Sequence, residues 1–427
     1  MLNNIPVFDK INFNGGNLSS DGGAILLLQF LHNINFSDKL SGIPFNDNRK
    51  HPVYSNADIL YQMISRTLLG YFSQGDQKVL SEDPLLSKYF TACSQPTVSR
   101  FFDRVTNHTN VVLKDILTRM ACGHVNHYVE APIIDADSTL TETYGSQEAS
   151  SFIHHYAETG YHPLVINEFN SKVLLSSRLR AGSSYSSNGI IEELQTIFPY
   201  LYNRGNIRFR GDSAFYDSAL FDFLDKNNIT YYIRAKGFES LKRAACEDMA
   251  SKGIDWMKYD CRNPYYGEMQ YRVGTKSKEK RRILYKAYCI GENGQASLLP
   301  TIYAVVTNDE TCASGEGMHF YELRGASENF TKELKNDFDG GHLSHPGFLE
   351  NEMQFLISSM AYNLFHIFQD TILTGNDRSI TMNTFRMMFQ KIAARVTFHA
   401  RKLKLSFSGA YKNKKKFMNY WDMVMQI

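Results

Sequence analysis

The sequence predicts an α/β protein, a mixed sheet with helices packed on it, preceded by a helical region and interrupted by a β-rich insertion. Three observations carry this. Residues 1–128 show helix caps and helical apolar spacing. From Tyr128 the texture turns to short apolar strands in the order of three strands followed by α-β-α-β, the pattern of a mixed sheet. Residues 238–299 then break that order with polar, Lys-rich sequence. With 427 residues, 43% hydrophobic and 21% charged, the chain can bury a large core spread over two to four domains.

In the helical region, Ser19-Ser20-Asp21 precedes the apolar run from Ala24 as an N-cap, and Ser55-Asn56-Ala57-Asp58 opens a helix through Leu69. Asp83-Pro84 starts a short helix. Ser94-Gln95-Pro96-Thr97 starts another, with Val98, Phe101, Phe102 and Val105 on one side and Arg100 and Arg104 on another. Short helices ending in a polar, Arg-bearing helix suit a helix-turn-helix reader of DNA, with Gln95, Arg100 and Arg104 as contacts, and equally a small helical bundle. The expected strands are 131–137, 161–169 and 172–180, the last two joined by a turn at Asn170-Ser171, then 207–211 and 230–235. Helices are expected at 187–201 and 213–226. Past the insertion, which holds a β-like piece at 283–290, come a strand at 301–307, a helix from about His319 to Lys335, and an apolar helix at 352–368.

Composition excludes several classes. No apolar run reaches the roughly 20 residues of a membrane span, and the opening residues lack the pattern of a signal peptide, which points to the cytoplasm. Six cysteines, no two closer than 15 positions, offer neither a metal knuckle nor a disulfide scaffold. The net charge of +2 is unremarkable, but its distribution is not. Arg386 to Lys416 holds ten Lys or Arg and no Asp or Glu, with aromatic residues interleaved. This is either a solvated basic face or a site for a polyanion, in which Lys412, Lys414 and Lys415 are candidate phosphate contacts.

A carboxylate at the end of a core strand is costly unless paired or bound to a metal. Asp135 and Asp137 share one face of the first strand, and Asp137 lies at its C-terminal end, where open α/β sheets place ligand groups. Asp212 ends the fourth strand in Arg210-Gly211-Asp212-Ser213, where it also reads as an N-cap. On the expected helix after residue 307, Tyr321, Arg324, Glu328 and Lys335 are spaced by 3, 4 and 7. At about 100° per residue they fall within about 60° of one another, whereas Glu322 and Glu333 fall about 100° or more away.

The pattern Tyr321-x2-Arg324-x3-Glu328-x6-Lys335 resembles the signature of DDE-type insertion-sequence transposases of the IS-four superfamily. The chain from about residue 15 to 420 is similar to the IS thirteen-eighty branch in Asp135 to Thr139, Gly145 to Glu148, Gly160 to Leu164, Arg210 to Ser213 and Ala361 to Leu364. The resemblance implies a ribonuclease H-like catalytic domain with a mixed five-stranded sheet. Residues 129–237 and 300–375 would form it, with 238–299 as its β-rich insertion, 1–128 as a helical DNA-binding region and 376–427 as a basic C-terminal segment.

It also implies Asp137, Asp212 and Glu328 as catalytic metal ligands for two Mg2+ or Mn2+ ions, since such ions prefer carboxylate oxygen. Asp135 is the rival for the first position. Asp137 is preferred because it is nearer the strand's end and precedes Ser138-Thr139. Tyr321, Arg324 and Lys335 would hold phosphates. The implied activity is transposition: binding terminal inverted repeats, metal-dependent cleavage and strand transfer, with a homodimer as the active form. A domesticated protein that grips DNA without cutting is the alternative. His154, His155 and His162 read as ordinary polar or core residues rather than ligands, and Trp256 reads as a packing residue.

Overall fold

The computed structural model describes residues 10–90, 93–154, 156–201, 205–273, 279–292, 294–399 and 402–427. The chain forms two compact units, one of Pro44–Asn46 with Val105–Ile367, the other of the residues up to Ile43, Asp47–Arg104 and Phe368–Ile427. His155 and Arg401 lie outside the described residues.

The first unit is built on an eight-stranded mixed sheet. Its strands are β1 (Ile133–Ser138), β2 (Leu164–Glu168), β3 (Leu174–Arg178), β4 (Arg208–Gly211), β5 (Thr230–Arg234), β6 (Tyr265–Arg272), β7 (Lys280–Ile290) and β8 (Ala296–Thr307). They lie in the order β6-β7-β8-β5-β4-β1-β2-β3. The pairs β1–β4 and β4–β5 are parallel and the rest antiparallel. The five strands expected before residue 238 are β1 to β5, and the strand expected at 301–307 lies within β8. The sheet exceeds five because β8 pairs with β5 (Val306 opposite Ile233), and the β6–β7 hairpin of the supposed insertion continues outward from β8.

Ile134, Ala136, Leu164, Ile166, Phe209, Phe221, Tyr231, Ile233, Tyr285 and Val306 are buried in one core, and the Asn107–Tyr128 helix packs on β3. The expected strand 161–169 is split in two. Pro163 has no N–H for a ladder, so Glu158–Tyr161 leaves to pair with Thr141–Glu142 and Ser151–Ile153 in a small separate sheet. Gly160 is required there: a Cβ on it would stand 2.2 Å from the Thr141 carbonyl oxygen.

The expected single helix from His319 to Lys335 is also interrupted. Residues Ser314–Glu322 and Ser327–Asp337 are α-helical, and Leu323–Ala326 between them is a 3-10 turn. The tighter turn advances the chain by about 120° per residue, so the stripe drawn at 100° does not run unbroken through Arg324.

One buried ion pair ties this segment to the sheet. Asp135 on β1 stands in register with Arg210 on β4, and the two side chains are 1% and 0% exposed. Arg210 donates from Nε and Nη2 to both Asp135 oxygens at 2.7 and 2.8 Å, and from Nη1 to the Phe320 carbonyl at 2.8 Å. The Ser327 hydroxyl donates to the second Asp135 oxygen, and the guanidinium lies between the rings of Phe169 and Phe320. Both charges are therefore fully met, and both helices flanking the 3-10 turn are tied to the strand pair.

The second unit contains short helices at Ile25–Asn33, Phe36–Leu40, Asn56–Leu68, Asp76–Glu82, Leu86–Tyr89 and Gln95–Phe102, with a three-stranded sheet of Leu18–Ser19, Ala394–His399 and Lys402–Phe407. Ser55 caps its helix as expected, and the structure adds a capping box with Asp58. Asp21 does not cap the next helix. It is fully buried and instead accepts hydrogen bonds from Lys391 (2.7 Å), Gln390 (2.9 Å) and Tyr71 (2.9 Å). Among the described residues no helix is long and apolar enough to cross a membrane, and all six cysteines are free thiols.

Breaking the Asp135–Arg210 pair leaves one charge buried and unmet, so Arg210→Met should lower unfolding stability by about 3–5 kcal/mol. The double variant Asp135→Leu/Arg210→Met should recover most of it, both read from denaturant midpoints. A double variant no better than the single one would show that the pair is not the source of the loss.

Candidate active site at the strand ends

Because β1 and β4 are adjacent and parallel, their C-terminal ends bring Asp137 and Asp212 together. Asp212 follows β4 in extended backbone, and its Oδ1 accepts the Ala214 N–H at 2.7 Å. It thus caps the 3-10 turn Ser213–Phe215 while its other oxygen faces the site, so capping and ligand roles coexist. Arg324, from the turn after the Ser314–Glu322 helix, points between the two carboxylates. Its Nη2 is 3.1 Å from Asp137 Oδ1 and 4.0 Å from Asp212 Oδ2.

Glu328 sits in the first turn of the Ser327–Asp337 helix, one residue past the Ser327 that is fastened to Asp135. Its side chain is exposed, as an approaching ligand requires. The carboxyl of Asp137 reports the neighbourhood: burial, above all, pushes its pKa up to about 6, Arg324 opposes this, and the negative charges of Asp212 and Glu328 add to it. The three carboxylates therefore share one electrostatic site.

Tyr321 is half-buried, and burial raises its hydroxyl pKa, with Arg324 opposing. Lys335 is turned back to the strand end, where its ammonium donates to the Thr139 hydroxyl and the Leu140 carbonyl; burial lowers its pKa, and Asp137 resists that. Asp135, the rival ligand, is enclosed by Arg210 and Ser327 with no side-chain surface turned to the site.

Two further residues, not singled out in the sequence, border the site. The Tyr156 hydroxyl donates to the Ser138 carbonyl at 3.2 Å. Arg180 donates from Nη2 to the Ser138 hydroxyl at 2.9 Å and from Nη1 to the carbonyls of Tyr185, Ser186 and Asn188. Neither carries a local signal toward the site, because the Ser138 that each one holds lies 18 and 42 residues away in the chain. His162 is buried and its Nδ1–H donates to the Ser184 carbonyl (2.9 Å), His154 lies exposed in a turn, and Trp256 packs on the core.

Among the described residues no three His, Cys, Asp or Glu side chains close tightly enough to enclose a metal ion. The donor set nonetheless fits a hard divalent cation: three carboxylates, one of them raised in pKa chiefly by burial and further by the charges of the other two, with no sulfur or imidazole among them.

The second unit holds the remaining sequence candidates. Gln95 and Arg100 are exposed on the Gln95–Phe102 helix, whose Val98, Phe101 and Phe102 are buried as expected. Arg104 is half-buried, donating to Asn56 Oδ1 and the Arg100 carbonyl, both at 2.8 Å. Lys412, Lys414 and Lys415 are exposed before and within the Lys414–Val424 helix. The basic segment is not free of counter-charge, as the sequence suggested. Lys391 pairs with Asp21 at 2.7 Å, Lys416 with Asp377 at 2.8 Å, and Arg386 is buried on the carbonyls of Thr67 and Leu68. The partners come from elsewhere in the sequence, which a count along the segment cannot register.

A family described as Transposase DDE domain group 1 matches residues 9–427. No curated protein matches the chain. Among solved structures, the piggyBac transposase synaptic complex with hairpin DNA is 10% identical with a TM-score of 0.48, covering 86% of this chain and 80% of that one. The Mos1 transposase paired-end complex with left transposon end is 13% identical with a TM-score of 0.18, covering 43% and 61%. The Mos1 strand transfer complex is 11% identical with a TM-score of 0.17, covering 52% and 78%.

The raised Asp137 carboxyl has a measurable consequence. Between its ordinary value near 3.8 and about 6, the folded chain keeps a proton that the unfolded chain has lost, so stability falls as pH rises through that window. Asp137→Asn carries no charge and escapes the loss. In metal-free buffer its melting temperature should exceed the parent's at pH 7.5, the gap closing toward pH 4. A difference independent of pH would contradict the burial and crowding assigned to Asp137.

Proposed function

The chain belongs to the Transposase DDE domain group 1 family and is an enzyme that cuts DNA, and from that premise we propose that it does so with Asp137, Asp212 and Glu328. The observation that carries this is their convergence: the carboxylates of Asp212, past the neighbouring strand end, and of Glu328, in the first turn of a helix, both bear on the partly buried carboxyl of Asp137. The strand order β3-β2-β1-β4-β5, antiparallel in its first two steps and parallel in its last two, supports reading this part of the sheet as ribonuclease H-like. With the spacing of Tyr321, Arg324, Glu328 and Lys335, it supports a place in the IS-four superfamily.

The three carboxylates would hold two Mg2+ or Mn2+ ions, which supply activation of the attacking oxygen and stabilisation of the departing one. This chain's own residues do the positioning. Arg324 meets the charge of a phosphate beside the scissile bond, and Tyr321 offers its hydroxyl to the same group. Lys335, fixed on Thr139 and Leu140, holds the chain just after Asp137 and adds positive charge behind it. Water attack nicks the strand, and the freed 3′-hydroxyl attacks a second phosphodiester, so the same groups serve cleavage and strand transfer. No covalent protein intermediate is needed. The DNA is the element's terminal inverted repeats and then the target, the protein works as a homodimer in the cytoplasm, and Gln95, Arg100, Arg104, Lys412, Lys414 and Lys415 contribute DNA contacts.

A plasmid excision assay with Mg2+ or Mn2+ tests the chemistry. Asp137→Ala, Asp212→Ala and Glu328→Ala should each abolish excision while leaving terminal-repeat binding intact, because none lies on the proposed reading helix. Full excision by any one of them would remove that residue from the catalytic set.

Recognition is tested separately by gel shift. Changing Gln95 or Arg100 to Ala should weaken binding to terminal repeats more than to random DNA. Changing Lys412, Lys414 and Lys415 together should weaken both equally and flatten the salt dependence, by about 0.9 in the log–log slope for each phosphate no longer neutralised. Equal weakening on both DNAs by the first two changes would reduce the helix to a backbone clamp.

A further inference from the structure

Arg324 differs from the buried Arg210 and Arg180 of its unit in how little holds it. Those two each spend their donors on several carboxylate, hydroxyl or carbonyl oxygens. Arg324, 12% exposed, makes one hydrogen bond of 3.1 Å to Asp137 and a looser 4.0 Å approach to Asp212, and its buried Nε–H finds no acceptor. It also rises from a 3-10 turn, whose hydrogen-bond geometry is poorer than that of the helices on either side. The guanidinium thus stands between two carboxylates with hydrogen-bonding capacity unspent.

We propose that Arg324 is the resident counter-cation of the Asp137–Asp212 pair and that a DNA phosphate, by drawing it away, opens these carboxylates to a divalent cation. This rests on reading Asp137 and Asp212 as metal ligands. The exchange is favourable on charge grounds. Free of DNA, the guanidinium offsets two carboxylates and raises the cost of adding a dication beside it. A phosphate takes both edges of the guanidinium fork, satisfies the orphan Nε–H, and removes the competing charge from between the carboxylates. Metal loading becomes conditional on DNA, which spares the cell a charged nuclease without substrate. By linkage, metal tightens DNA by the same factor that DNA tightens metal.

The test measures Mn2+ binding by loss of the free-ion electron paramagnetic resonance signal, on the full chain alone and with a terminal-repeat duplex. Wild type alone should bind Mn2+ at least about tenfold more weakly than the duplex complex. Arg324→Gln should tighten Mn2+ binding about tenfold in the free protein and leave the duplex complex unchanged, so the dependence on DNA collapses. Arg324→Lys, which keeps the charge but cannot span both carboxylates, should fall between. Equal shifts in both arms would mean that Arg324 acts only as a distant charge, and no shift in the free protein would mean that it does not guard the pair; either overturns the proposal. The wild-type comparison decides without any variant: equal Mn2+ affinity with and without duplex also overturns it. Absence of Mn2+ binding in every arm would instead fell the metal-dependent reading on which the proposal stands.

Discussion

The buried ion pair of Asp135 and Arg210 fastens together the strands and helices that carry Asp137, Asp212 and Glu328. Two charges at 1% and 0% exposure are tolerable only because each oxygen and each guanidinium nitrogen has a partner. Those partners are chosen usefully. One guanidinium edge crosses from β4 to β1, and its remaining nitrogen holds the Phe320 carbonyl near the end of the Ser314–Glu322 helix. Ser327, which completes the carboxylate, begins the helix that carries Glu328. Two strands and two helices are thereby fastened at one point, two residues from Asp137 on β1 and two from Asp212 past β4. The pair holds the geometry rather than the chemistry.

This arrangement divides the two aspartates of the first strand by role. They share a face, yet Asp135 lies deeper and is consumed by the clamp, whereas Asp137 emerges at the strand end beside Asp212 and Arg324. Burial and like charge give Asp137 a carboxyl readier to hold a proton, a strain that a cation relieves. Arg324 supplies such a cation from within the chain, its guanidinium aimed between the two carboxylates.

Much of this was legible in the sequence, for identifiable reasons. Alternating and continuous apolar runs located β1 to β5, and Asp137 and Asp212 were recognisable as charged residues ending apolar strands. The spacing from Tyr321 to Lys335 singled out Arg324 and Glu328, whose charges both bear on the Asp137 carboxyl, and Lys335, which docks on Thr139 and Leu140 just after it, although the chain reaches them through a 3-10 turn that no periodicity marks. What remained hidden is long-range. Arg210 reads locally as part of a polar strand end, and only the parallel register with β1 shows it to be the partner of Asp135. The polar β6–β7 hairpin lies in the stretch read as a β-rich insertion, and only the strand pairing shows that its backbone extends the same sheet. The basic C-terminal stretch looked uncompensated for the same reason: Asp21 and Asp377 lie far from Lys391 and Lys416 in sequence and beside them in space.

The most direct measurement of the central claim is the anomalous diffraction of Mn2+ in crystals of the protein bound to a terminal-repeat duplex. The account predicts anomalous peaks in contact with Asp137, Asp212 and Glu328, with Arg210 still holding Asp135 and Ser327 still donating to it. Mn2+ seated on Asp135, or peaks that leave Glu328 without an ion, would contradict it.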